Sequence, residues 1–510
     1  MNRKRLLLSA AIFLSSAVLA ACGGGGGGTS LSTGGGSSST VSGPDMGTLA
    51  TVDDTFQLKI KNASSTQFLT ITGQSQTAGA NLSQAADTNT SDEFWHVMSL
   101  GSSHYNIENL LTHEVIGILN ASTTASAQAV QWADNGTNDH EWSFYKLTNG
   151  NYLIKNINSG LYLQSDTTGV VDQAARATTG TGCSCQEWTV MPTTTAAYPT
   201  PLTVAGTGTG VHDPSMIQDG TGKYWLFGTH NTLATSTDMV TFTTVSSGIF
   251  STDFSWWASK NTTGGSGRTD LWAPSVMFAN GTYYQYYSIP IYDTPSVAGS
   301  NKGAEAVIAL ATSPNPNGPW TDAGQIIASC GSTLGCTTTY NAIDPAPFID
   351  AAGHWWLVFG SWEDGTHLLQ LDPATGLRLG TSMTTLAHRD GGEEGPFIYP
   401  KIVNGTQYYY YFAPVNVCCK ADAPYRIIIG RSTSPNGPFL DRGGLDLVNG
   451  GGTLLLSSHS NIKGPGGQSV ISVGSQTLLI YHYYDNNSNG TPKLGLNYLG
   501  FDANGWPFVQ

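Results

Sequence analysis

Gly210-Val211-His212-Asp213-Pro214-Ser215-Met216-Ile217 sets a carboxylate and a proline at the head of an apolar, strand-like run. The frame returns at Ala342-Ile343-Asp344-Pro345-Ala346-Pro347-Phe348-Ile349 and, with a longer acid, at Glu394-Gly395-Pro396-Phe397-Ile398-Tyr399. Each is followed by a short aromatic run bounded by Gly or Asn: Tyr224 to Phe227, Trp355 to Phe359 and Tyr408 to Phe412. Such runs read as strands, so each acid is expected at the entrance of the first strand of a hairpin.

Working outward, similar frames begin at Ala273-Pro274 and Gln468-Ser469, followed by the runs Tyr283 to Tyr287 and Leu478 to Tyr484. Further runs at Val307 to Ser313 and Ile427 to Thr433 lead into Ser-Pro-Asn and Gly-Pro turns. No long segment has helical period. Five units of several strands predict a five-bladed β-propeller over residues 206–510. A propeller gathers the heads of its innermost strands round one depression, which would bring distant acids face to face.

Upstream, a second periodicity appears. Ile60-Lys61-Asn62, Ile107-Glu108-Asn109 and Ile154-Lys155-Asn156 recur 47 residues apart, and Trp95, Trp142 and Trp188 close the three units. Gln84-Ala85-Ala86, Gln131-Trp132-Ala133 and Gln173-Ala174-Ala175 lie between them. Three equal β-rich units cannot each bury a face alone and must share a core. Residues 51–192 therefore resemble a ricin-type β-trefoil, a fold often used as a carbohydrate-binding module. Its repeated Trp and Ile read as core, with sugar contacts left to exposed acids, amides and aromatics in the loops. Residues 193–205, rich in Thr, Pro and Ala, read as an interdomain linker. The whole chain is thus all-β.

The net charge is −14 with 11% charged residues, and no Lys/Arg cluster is present to engage phosphates, which excludes nucleic acid as a partner. Arg3, Lys4 and Arg5 precede an apolar run from Leu6 to Val18, closed by Leu19-Ala20-Ala21-Cys22. That run is too short for a good membrane span. It looks like a bacterial lipoprotein signal, residues 1–21, with Cys22 as the lipidated first residue of the mature chain and its acyl chains as the membrane anchor; the competing reading is an ordinary signal peptide cut nearby. Removing residues 1–21 takes three cations from the total of −14 and leaves −17. Gly23 in place of Asp favours the outer membrane of the cell envelope. Residues 22–50, Gly- and Ser-rich, read as a tether. Six further cysteines suit an exported protein. Local spacing allows Cys330 with Cys336 and Cys418 with Cys419, and less comfortably Cys183 with Cys185, but connectivity stays open.

Read in order, Val211-His212-Asp213-Pro214, Leu271-Trp272-Ala273-Pro274, Ala342-Ile343-Asp344-Pro345, Glu394 to Tyr399, Cys418-Cys419, Gly451-Gly452-Thr453, Tyr481-His482-Tyr483-Tyr484-Asp485 and Gly505-Trp506-Pro507 resemble glycoside hydrolase family 43, and most of all its endo-α-1,5-L-arabinanases. The resemblance implies an inverting hydrolase of arabinan, with Asp213 as general base, Glu394 as general acid and Asp344 as the carboxylate that orients the acid and raises its pKa. Neighbouring Glu393 is the alternative acid. His212 is expected in the site wall, His482 either at the active-site rim or as a satisfied core histidine, and Trp272 as an apolar platform for a sugar ring, with blade core as its alternative. No cofactor is required. Relatives carry a His after Gly-Pro-Gly at a calcium on the propeller axis; this chain has Gln468, whose carbonyl oxygen suits calcium or a bridging water but is a weaker ligand than imidazole. A monomer on plant cell-wall polysaccharide is expected. An exo-acting arabinofuranosidase or β-xylosidase would differ in the loops round the cleft. A non-catalytic surface lectin is the competing reading from another class, against which all three acids speak.

Overall fold

The structure, a computed structural model, describes residues 44–165, 168–176, 182–259, 267–291, 305–330, 338–420 and 424–510. Cys22 and Cys336 lie outside them. Almost every element is a β-strand, and the helical pieces are single 3-10 turns.

The trefoil is built from three equivalent units round one core. Ile60, Ile107 and Ile154 are fully buried there with Trp95, Trp142 and Trp188. Each indole N–H donates to a main-chain carbonyl: Trp95 to Leu69 (3.1 Å), Trp142 to Ile116 (2.9 Å), Trp188 to Leu163 (2.9 Å). The repeated Asn has an equally specific task. Asn62, Asn109 and Asn156 donate through their amides to the carbonyls of Cys185, Asp92 and Asp139, each at 2.8 Å, and so tie down the 3-10 turn before each Trp. The repeat thus consists of apolar core plus the polar groups that satisfy its buried backbone. The trefoil reaches further than residues 51–192. Thr48–Ala50, within the stretch expected as tether, pairs antiparallel with Phe144–Lys146, and Trp188–Ala196 runs on past residue 192 against Phe56–Asn62.

Residues 193–205, expected as an interdomain linker, are tied down along their length. Ala197 N–H donates to the Thr55 carbonyl, Leu202 N–H to that of Leu496, and Ala205 bridges Thr241. Tyr198 is buried in the core of the fourth and fifth blades, and its hydroxyl donates to the trefoil carboxylate Glu108 at 2.8 Å. The segment is a packed strut, since Thr and Pro do not prevent ordering when one large aromatic buries itself. Trefoil and propeller also meet through Lys463 with Asp54, Arg426 with Asp134, and an apolar contact of Met98 and Val115 on Leu454.

The propeller has five four-stranded antiparallel sheets. Their innermost strands are Ser215–Gln218, Trp272–Ala279, Ala346–Ile349, Phe397–Val403 and Ile462–Val473, each next to the following one round a closed ring. Apolar clusters fill the gaps between blades, including the closing one, where Leu226 and Met216 of blade 1 meet Leu478 and Ile480 of blade 5. Ser469 Oγ donates across the same seam to the Pro214 carbonyl at 2.8 Å. Ring closure is therefore made by side-chain packing between blades, which leaves no exposed inner edge.

Candidate active site

All five blades enter the ring by the same backbone device. Asp213, Ala273, Asp344, Gly395 and Gly467, one at each head, have φ of 50°, 41°, 58°, 51° and 54°. Positive φ is costly for residues other than glycine and clusters at functional sites. Here it turns the chain sharply out of the rim and down into the inner strand. Asp213 and Asp344 occupy equivalent posts, and Glu394 stands one residue before the fourth. Its longer side chain fits that displacement.

The heads surround a cavity of about 620 Å³ lined by Asp213, Asp344, Glu394, His212, Trp272 and Gln468, among others. The structure thus brings together five of the six residues expected to act or bind here, with Gln468 beside them. His482 is the exception. It is fully buried, stacks behind His212 with ring centroids 3.8 Å apart, and is not among the residues lining the cavity. Of its two expected places, rim and core, it occupies the core.

Asp213 Oδ2 lies 2.8 Å from His212 Nδ1 and accepts the Thr229 hydroxyl at 2.6 Å. Burial works against its charge. The charge and hydrogen bond of His212 nevertheless outweigh it, with help from the Thr229 hydroxyl, and hold the carboxyl well below the ordinary aspartate value. His212 is held in turn: burial opposes its charge, but Asp213 raises it above the ordinary histidine value. Burial and the His212 charge keep His482 neutral, which matches its Nδ1 accepting the Asp213 backbone N–H at 3.1 Å. The Tyr484 hydroxyl oxygen lies 2.8 Å from His212 Nε2 and 3.2 Å from His482 Nε2 and takes the Cys419 N–H at 3.0 Å. Cys418 and Cys419 form a disulfide between adjacent residues in the cavity wall, and Cys183 pairs with Cys185 away from it.

Glu394 stands across the cleft in a different setting. Its Oε1 accepts the Tyr425 hydroxyl at 2.7 Å, and its Oε2 accepts the Trp362 indole N–H at 3.1 Å and the Ser361 hydroxyl at 3.2 Å. Burial raises its pKa, the Tyr425 bond pulls it back, and the Asp213 charge pushes it up again; the result is above the ordinary glutamate value. Asp344 is pushed well above the aspartate value by burial and by the charges of Glu394 and Asp213. It touches the acid's loop by accepting the Gly395 N–H at 3.0 Å. One carboxyl is therefore held ionised and two are held toward the neutral form, a division suited to acid–base chemistry.

Glu393 does not share the cleft. It is buried against Tyr411, whose hydroxyl donates to it, and burial pushes it up to about 7. The Gln468 amide donates to the Gly395 carbonyl at 3.0 Å, while its Oε1 has no hydrogen-bond partner among the described residues. A carbonyl oxygen on that cavity wall fits a hard cation or water.

Sequence reasoning missed Tyr425, Trp362, Thr229 and Tyr484. A signal existed for Tyr484, because His482 and Tyr484 are two apart on one strand and must face the same way. Tyr425 gave none, being one of many tyrosines beside apolar strands.

The comparisons with known proteins agree with this geometry. The family model for glycosyl hydrolases family 43 matches residues 207–507, and that for ricin-type beta-trefoil lectin domain-like sequences matches residues 48–132. The extracellular endo-alpha-(1->5)-L-arabinanase 1 of Bacillus subtilis is 37% identical over 305 residues, covering 58% of this chain and 87% of that protein. Among solved structures, the GH43 endo-arabinanase from Bacillus licheniformis is 36% identical with a TM-score of 0.52, covering 60% of this chain and 99% of that one. An exo-1,5-alpha-L-arabinanase from a bovine ruminal metagenomic library is 33% identical with a TM-score of 0.52 and covers 60% and 99%. Among the described residues no helix is long and apolar enough to cross a membrane. With a family model spanning more than half its length over this set of cleft carboxyls, the chain belongs to glycosyl hydrolase family 43, and it carries a ricin-type β-trefoil ahead of the family domain.

Proposed function

We propose that the protein is an inverting arabinan endo-1,5-α-L-arabinosidase. The observation that carries the reading is the pairing, in one cleft, of an ionised Asp213 with a Glu394 held toward its protonated form. Asp213 takes a proton from water as that water attacks the anomeric carbon. Glu394 gives its proton to the departing sugar oxygen on the opposite face. Asp344 holds the acid's loop through the Gly395 N–H, and its own neutral form avoids a third negative charge. His212 fixes the orientation and charge of Asp213, and Trp272 offers the sugar ring an apolar face. No cofactor enters these steps. If calcium binds at the axis, Gln468 Oε1 is the group of this chain placed to meet it.

The trefoil's part is to hold polysaccharide beside the cleft. With the strut packed, the distance between the two sites is fixed by structure and not by a flexible tether. A lipid on Cys22 would keep the monomer at the bacterial envelope, on the outer membrane by the Gly23 criterion.

The deciding experiment is chromatography of products from debranched linear arabinan. Wild type should give a ladder of arabino-oligosaccharides, and Glu394→Gln should lose about 10²-fold or more in kcat. Arabinose alone would make the enzyme exo-acting. Intact arabinan with an arabinoxylan or aryl xyloside cleaved would overturn the substrate. Polysaccharide bound but none cleaved would make the protein a lectin.

A further inference from the structure

Arg426 opens the third strand of blade 4, Arg426–Ser432, Tyr425 stands immediately before it, and both are buried. Neighbours on a strand point to opposite faces. Tyr425 turns into the cleft, where it donates to Glu394 Oε1. Arg426 turns outward into the trefoil, where its guanidinium pairs with Asp134 and donates to Asn106 Oδ1 at 2.8 Å.

The same trefoil loop also meets the segment that leads to Glu394. Gly136 packs so closely on the Asp390 carbonyl that a Cβ there would come within 3.3 Å of it, and the Asn416 amide oxygen lies just beyond. Asn416 binds both segments that carry the acid's apparatus. Its N–H donates to the Gly392 carbonyl, two residues before Glu394, and its amide donates to the Pro424 carbonyl, beside Tyr425. Asp134 and Gly136 thus contact Arg426, Asp390 and Asn416, next to the segments that carry Tyr425 and Glu394.

We propose that the trefoil is a positioning domain for the catalytic acid: Asp134 and Asn106 hold Arg426, and through it the Tyr425 hydroxyl that aims the Glu394 carboxyl. The role is separate from any grip on polysaccharide, and it rests on Glu394 being the acid of the reaction proposed above. Around Glu394 stand Tyr425, Trp362 and Ser361 as donors, with the carboxyls of Asp213 and Asp344 and the imidazole of His212 as its titratable neighbours. Tyr425 therefore acts on a carboxyl that other groups also press, and loss of its hydrogen bond should favour the protonated acid.

Asp134→Asn alone leaves a buried guanidinium without its counter-ion and endangers folding. The test is therefore the full chain with Asp134→Asn and Arg426→Met together, beside Tyr425→Phe. Asp54→Asn, which breaks the Lys463 pair elsewhere on the same interface, serves as control. The substrate is soluble arabinohexaose, so that capture of polymer plays no part. In the double variant kcat should fall about ten- to a hundredfold with KM within about twofold, and the alkaline fall of kcat/KM should move to higher pH, as in Tyr425→Phe. Asp54→Asn should do neither. Titration of 13C-labelled glutamate carboxyls, with Glu394 identified by its absence in Glu394→Gln, should show the Glu394 midpoint raised in the double variant whatever the substrate. A double variant that folds, as judged by circular dichroism, with wild-type kcat and an unmoved midpoint overturns the proposal. Equal losses in the control overturn it too. If wild type leaves arabinan and its oligosaccharides intact, the reaction is wrongly assigned, and the carboxyl titration still decides whether the trefoil positions Glu394.

Discussion

Asp213 is kept ionised in a buried site by one cation, His212, so its charge state should depend on that neighbour. His212→Ala removes the charge and hydrogen bond that outweigh burial. A carboxyl whose folded pKa is depressed stays ionised until the pH falls through that low value, and losing the depressor moves the fall upward. In a pH profile of kcat/KM, the acidic limb of the variant should lie at least one unit higher than in wild type, with the alkaline limb nearly unchanged. At this scale the sequence was informative where chemistry is carried by a rare residue in a repeated frame: Asp213, Asp344 and Glu394 all line the cleft. It was silent where a common residue takes its meaning from a distant partner. Tyr425 has no local mark that separates it from Tyr408 or Tyr409, and only blade packing brings it to Glu394. His482 stayed open between rim and core for a related reason, since a histidine beside cleft residues in sequence can still turn its ring behind them.

The trefoil repeat is an element whose sequence period and structural period coincide. Trp95, Trp142 and Trp188 each fill the shared core and each satisfy a buried carbonyl. Trp142→Ala should therefore cost about 3–5 kcal/mol for the side-chain volume, and the bare Ile116 carbonyl adds to it. Equilibrium urea unfolding followed by far-UV circular dichroism checks this, with Trp95→Ala and Trp188→Ala expected to match within error if the three-fold equivalence holds. The blades were legible for a different reason, because the aromatic runs Tyr283 to Tyr287 and Leu478 to Tyr484 are second strands buried on both faces. The strut was not legible. Composition marked residues 193–205 as linker, and the residue that packs this linker down, Tyr198, is ordered by a pocket between strands of the fourth and fifth blades.

Across the whole molecule, trefoil and propeller meet through buried ionisable groups, so their docking should respond to pH. Glu114 is buried against Gly443, its Oε2 lacks a hydrogen-bond partner among the described residues, and burial with the Asp441 charge pushes it up to about 8. Its folded pKa lies above the ordinary value of 4.5. Folding therefore favours the protonated form, and the associated stability is present at low pH and lost as pH rises toward about 8. A shift of that size corresponds to a few kcal/mol. Differential scanning calorimetry between pH 5 and 9 should show Tm falling in wild type, and Glu114→Gln should flatten that part of the fall. A carbohydrate-binding unit and a catalytic unit joined in this way should also melt as one transition.

The ring of five positive-φ heads has one more consequence. It works as a mount with five equivalent sockets, two of which, Asp213 and Asp344, this chain has loaded with a carboxyl, while Glu394 stands one residue before a third. Gly467 cannot be loaded, because a Cβ there would come within 2.4 Å of Asp213 Oδ1. Ala273, with φ of 41°, already holds the backbone shape that Asp213 and Asp344 use and lines the same cavity. New chemistry could be installed at that seat by changing one side chain, with the scaffold that would aim it already in place.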